Sequence, residues 1–183
     1  LEERIPKAKI KEQDMNDIFR ECDLLLTELH KFDPSIISLG PEITDDRLGI
    51  FERSIGFEFP LDFKYIIKKH NRIVLAGTEI YGLDNTLRGT SLNEVYKYEH
   101  DERTYNAMPS EFLPFSPDGR GNHYCLNLSK LINGVCPIVF WQHDFIYRKP
   151  EEVEQCNDDF VSWIKEVMIE WTLEDYNYDG TER

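Results

Sequence analysis

Residues 116–128, SPDGRGNHYCLNL, gather two glycines, an aspartate, two asparagines, a histidine and a cysteine into one short span. Residues of these types can hold a cation, cradle a phosphate or simply reverse the chain. A calcium loop needs oxygen ligands at alternate positions and a bidentate acid to close it. After Asp118 the chain offers Arg120 and Asn122, then Cys125, and no acid closes the loop. A phosphate loop needs GxxxxGK[ST], or GxGxxG between a strand and a helix. Gly119 and Gly121 lack a third glycine at the right offset, and a strand-like run follows them.

Zinc has candidate ligands in His123, Cys125, Cys136 and His143. His123 and Cys125 share a face of a strand, but Cys136 and His143 stand seven apart with no short-spaced knuckle to support them. Cys125 with His143 and Asp144 has the composition of a nucleophilic triad, yet neither a nucleophile elbow nor a glycine-flanked cysteine leading a helix accompanies it. The carboxylate pairs Asp45–Asp46 and Asp158–Asp159 sit where helices begin, so capping accounts for them better than acid–base work. Asp118-Gly119-Arg120-Gly121 between two strand-like runs reads as a hairpin connection, its glycines supplying positive φ. His123, Cys125 and Asn127 then face one side of the strand, and Tyr124, Leu126 and Leu128 the other.

Ile18, Cys22, Leu25, Leu26 and Leu29 lie at helical spacing and predict a helix over about Asp14 to Lys31, ended by Asp33-Pro34. A second helix begins after Thr44, turns Leu48, Phe51 and Ile55 inward and stops at Gly56. Pro60 opens a third, with Phe63, Ile66, Ile67 and His70 on its inner face and Lys68 and Lys69 at its C-terminal end. TEIYGL (78–83) reads as a strand. SLNEVYKYEHDERTY (91–105) reads as a solvated helix opened by a capping box of Ser91 and Glu94. FLPFS, NHYCLNL, CPIVFW and DFIYR predict a four-strand antiparallel meander. Phe160, Trp163, Ile164, Val167, Met168 and Trp171 form one apolar stripe of a closing helix, with Asn157, Asp158 and Asp159 before it. The fold class expected is α+β: helices first, a mostly antiparallel β-sheet, then a helix on one face.

The 183 residues fit one domain, with a polar tail over 173–183. Cys22, Cys125, Cys136 and Cys156 form no CxxC pair, which favours reduced thiols in a cytoplasmic protein. No apolar run approaches the roughly 18 residues of a membrane span. The net charge is −14, and residues 150–183 alone carry 11 acids against 2 bases. Such a chain repels nucleic acid and anionic membrane and attracts a basic protein.

Four segments carry a family resemblance. ERSIGFEFPLDFKYIIKKHN (52–71) resembles the opening signature of the SUKH superfamily, the Smi/Knr group, through Glu52, Ile55, Gly56, Phe59, Pro60, Phe63, Lys64 and Asn71. LPFSPDGRGNHYCLNL (113–128) resembles its second signature, CPIVFWQHD (136–144) its third and DFVSWI (159–164) its closing helix. The four stand in the expected order over about residues 52–164, leaving 1–45 as an N-terminal helical extension. Asn122 and Asn127 replace acids usual in the family, and Arg72 replaces its glycine after Asn71.

The resemblance implies a non-catalytic α+β binding module without cofactor or metal. Many bacterial members neutralise a toxin, often a nuclease or deaminase, and fungal members regulate or scaffold cell-wall and glucan synthesis. An immunity protein with a basic cognate toxin as partner is the leading expectation, a scaffold the second, and an enzyme or small-ligand binder the third. The expected contact surface joins Asp118, Trp141, Asp144 and Tyr147 to the acidic residues Glu151, Glu152, Glu154, Asp158 and Asp159.

Overall fold

The computed structural model describes residues 10–84 and 89–183; the first nine residues of the expected N-terminal extension lie outside them. The chain runs α1 (Glu12–Leu29), β1 (Ile37–Leu39), α2 (Asp45–Ile55), α3 (Leu61–Lys69), β2 (Ile73–Leu75), β3 (Thr78–Ile80) and α4 (Leu92–Glu99). Then follow β4 (Phe112–Pro117), β5 (His123–Asn127), β6 (Ile138–Trp141), β7 (Glu154–Asn157), α5 (Phe160–Trp163), a π-helical stretch (Ile164–Glu170) and α6 (Trp171–Asp175). This is an α+β architecture with two antiparallel meanders, β1-β2-β3 and β4-β5-β6-β7. The Tyr81 N–H donates to the Phe115 carbonyl at 2.8 Å, which sets the end of β3 against β4.

Local chemistry explains the helix boundaries. Thr44 caps α2 by accepting the Arg47 N–H, and Gly56 ends it with φ of 77°, a conformation glycine adopts at no steric cost. Ser91 and Glu94 close the capping box of α4. That helix stops at Glu99, six residues short of the predicted end. His100 turns its ring onto the Tyr96 and Pro109 carbonyls, and Asp101 accepts the Arg103 N–H in an Asx turn. The short β1 and β2 lie outside every predicted strand.

The second sheet is covered on both faces. Leu113, Phe115, Leu126 and Ile138 face the main core with α1, α3 and α5, while Phe112, Cys125, Val139 and Trp141 face a second cluster with Met108 and Val153. Cys22, Leu25, Leu26 and Leu29 are buried in the main core, so α1 forms part of that core and is no appendage. Asp62, also buried, joins the starts of two helices: its carboxylate accepts the Phe63 N–H at 2.8 Å and the Phe160 N–H at 3.0 Å.

Two predicted elements are corrected. DFIYR (144–148) is not a strand; the fourth strand is β7, after a 3-10 turn over Pro150–Glu152. As an edge strand β7 exposes Glu154, Gln155 and Cys156, so it lacks the apolar pattern by which a strand is read from sequence. The closing helix starts as predicted, with Asp159 accepting the Ser162 N–H, but passes through seven π-helical residues. The wider turn shifts the face that follows, burying Ile169 and Thr172 and leaving Trp171 49% exposed.

Candidate protein-binding site

The β4–β5 connection is the hairpin turn expected of it. Gly119 and Gly121 take φ of 79° and 93°. The Asp118 carboxylate accepts the Arg120 N–H at 2.7 Å, the Asn122 N–H at 2.9 Å and the Asn122 side-chain amide at 2.7 Å. Partial burial raises its pKa, but these donors outweigh that and hold it below the ordinary carboxylate range. Asn122 also accepts the His143 N–H at 3.2 Å, tying the turn to the β6–β7 loop. An acid at position 122 could make that second contact but could not donate to Asp118. Arg72 stands at φ of 102°, the left-handed region that favours glycine.

The β6–β7 loop is held from below and from one side. Trp141 is only 2% exposed and packs against Tyr147, ring centroids 4.8 Å apart. Burial therefore removes Trp141 from the expected contact surface and makes it the support on which Tyr147 rests. Tyr147 packs in turn on Phe145, and the Gln142 N–H donates to its hydroxyl. Asn106 donates to both the His143 and Phe145 carbonyls, at 3.0 and 2.7 Å, and so fastens the chain after α4 to this loop. Tyr98 and Tyr105 at the end of α4 and after it, and Phe145 and Ile146 in the loop that Asn106 fastens there, have 52–79% exposure, half of the large hydrophobics exposed among the described residues.

A cleft of about 720 Å³ opens between α4 and the two loops, lined by Tyr98, Glu99, Thr104, Tyr105, Gly121 and His143. Glu99 also lines an adjoining cleft of about 540 Å³ with Tyr81, Tyr98 and His123. Its carboxylate faces His123 Nδ1 at 3.8 Å, too long for a hydrogen bond. That nitrogen has no hydrogen-bond partner among the described residues. Burial lowers the His123 pKa to about 4 and raises that of Glu99.

Of the expected contact residues, Asp144, Glu151, Glu152, Glu154 and Asp158 are exposed, and Asp118 and Asp159 are half-buried. Several are partly engaged within the chain. Glu152 accepts the Arg148 N–H, Asp158 accepts from Gln155, and Asp159 caps α5. Asp144 adjoins Phe145 and Ile146 in the same loop, whereas Asp158 and Asp159 lie past β7 at the start of α5. The zinc set does not converge, because Cys125 sits in the second cluster and Cys136 in the main core across the sheet. Among the described residues no three His, Cys, Asp or Glu side chains are grouped as a metal site. Nor is Cys125 a nucleophile: it is fully buried beside the Met108 sulfur, and burial pushes its thiol well above the usual range.

Residue-by-residue reading missed Tyr98, Glu99, Tyr105, Phe145 and Ile146. The available signal was two tyrosines in a helix read as solvated, with no apolar stripe to employ them. Phe145 and Ile146 were hidden by their assignment to a half-buried strand.

A solved structure described as a protein from Pseudomonas syringae pv. tomato shares this fold, with a TM-score of 0.57. It is 18% identical, and the match covers 81% of this chain and 96% of the other. No curated protein matches the chain. The family model of the SMI1-KNR4 cell-wall group, SUKH type, matches residues 26–170, beginning within α1 and well before the signatures at 52–164. The chain therefore belongs to the SUKH, or SMI1-KNR4, family.

Proposed function

We propose that this protein is a non-catalytic binding module, an immunity protein that neutralises a basic toxin of nuclease or deaminase type by direct contact. The observation that carries the reading is that two segments tied together by Asn106 expose Tyr98, Tyr105, Phe145 and Ile146, with Asp144 in the same loop, in a chain of net charge −14. Aromatic anchors with an acidic surround suit a protein partner of opposite charge, since the aromatics supply affinity and the charge speeds encounter. A binding role is further supported by the inert Cys125 and by Asp159, which is engaged as the cap of α5. The four free cysteines fit a reducing, cytoplasmic setting, and none of the described helices is long and apolar enough to cross a membrane.

The test is capture of a basic partner at low salt, followed by an activity assay of that partner with the purified protein. Stoichiometric inhibition of nuclease or deaminase activity is expected, and association should slow by about tenfold or more between low and high salt. A partner whose activity is unchanged in the complex overturns the immunity reading. The family's cell-wall description favours one alternative, a regulatory or scaffold role in cell-wall or glucan synthesis, which recovery of synthesis proteins would support.

A further inference from the structure

The Glu99 cleft is furnished for a cation. Its floor carries a carboxylate that is 90% buried as a side chain, and the His123 Nδ1 it faces stands 3.8 Å away, beyond hydrogen-bond distance. Burying a carboxylate without hydrogen-bond partners is costly, and a positive charge placed against it relieves that cost. The rim carries Tyr98 and Tyr105, 68% and 79% exposed, whose ring faces attract cations. Arg103, the base at the rim, does not occupy the floor. It is turned outward, 90% exposed, and held by Asp101 through Nε at 2.9 Å and Nη2 at 2.6 Å. The loop is braced by Thr104 Oγ1 donating to the Tyr98 carbonyl at 2.9 Å and by Asn106 bonding the β6–β7 loop.

We infer that this cleft is an arginine pocket, in which a guanidinium presented by the basic partner passes between Tyr98 and Tyr105 to pair with Glu99. A guanidinium fits better than an ammonium on three counts. Its planar fork matches a carboxylate, its faces stack on tyrosine rings, and its weaker hydration makes entry into a half-buried site less costly. The −14 charge of the chain enriches basic surfaces near the cleft before contact. The inference rests on the proposed binding role and names the residue through which the partner is anchored.

The test uses N-acetyl-arginine methylamide as probe, titrated into the whole protein while tyrosine and histidine resonances are followed. Saturable shifts confined to Tyr98, Tyr105, His123 and His143 are expected, with no response to the uncharged citrulline analogue and weaker binding of the lysine analogue. Glu99→Gln should weaken binding about tenfold or more. Tyr105→Ala, at an exposed position where folding is not at risk, should weaken it about two- to fivefold. Absence of saturable binding, an equal response to citrulline, or full affinity in both variants overturns the pocket. The two readings fail separately. A toxin that binds wild type and both variants equally overturns the pocket and leaves the immunity reading standing. Arginine binding weakened in both variants, with a captured partner that is not inhibited, supports the pocket and sinks the immunity reading.

Discussion

At the scale of single residues, the buried polar groups have the largest consequences. Asp62 accepts backbone N–H groups from Phe63 and Phe160, 98 positions from itself in the second case. Asp62→Ala orphans both donors in the core and should cost about 2–4 kcal/mol in urea unfolding; a loss below 1 kcal/mol would show that other acceptors replace it. His123 supplies a pH signature. Its folded pKa of about 4 lies below the ordinary 6.5, so it contributes stability that is complete above pH 6.5 and lost as pH falls toward 4. Asp62, raised to about 7 by burial, acts with the opposite sign over about 4–7, so only a difference isolates the histidine. The stability of wild type minus that of His123→Gln should therefore shrink between pH 7 and pH 4.5, and a constant difference would show that His123 is not held neutral. Gly121 is a sharper constraint than Gly119. A Cβ at 121 would meet the His143 ring at 3.0 Å, whereas one at 119 meets nothing within 4 Å, though both positions have positive φ. Gly121→Ala should accordingly destabilise more than the ~1 kcal/mol expected of Gly119→Ala, read as the difference in urea midpoints.

At the scale of elements, caps and periodicity were legible where they act locally. Thr44, Gly56 and the Ser91–Glu94 box lie where residue type alone placed them, because a cap is satisfied by atoms three or four residues away. The closing helix shows where that reading ends. An ideal period puts Trp163 and Trp171 on one stripe, yet with the π-helical stretch between them the first is buried and the second exposed. Trp163→Ala should cost about 3–5 kcal/mol and Trp171→Ala no more than about 1 kcal/mol, compared by thermal or urea unfolding. Equal losses would restore the single stripe. Extra backbone per turn at Ile164–Glu170 is accompanied by burial of Ile164, Val167, Met168 and Ile169 in the main core, which no local pattern encodes. The same holds for β7, an edge strand of polar residues, and for 144–148, whose aromatic composition imitates a strand while Asn106 and Tyr147 hold it as a loop.

At the scale of the whole molecule, charge opposes compactness. A net −14 repels itself, so raising NaCl from about 10 to 200 mM should raise the unfolding midpoint by a few degrees. A midpoint that fell instead would mean that pairs such as Lys165–Glu21 and Lys69–Asp23 outweigh the repulsion. The α+β class, the helix starts, the glycine turn at 118–121 and the family were determined by the sequence itself, since each depends on residue type at short spacing or on an ordered set of motifs. The tertiary structure alone decided that Trp141 is a buried support, that α1 belongs to the core, and that Glu99 lies beneath Tyr98 and Tyr105. These facts depend on which face of one element meets another. Asn106 reaching His143 and Phe145 across nearly forty residues brings the site together, and a contact of that range leaves no periodic trace in the chain.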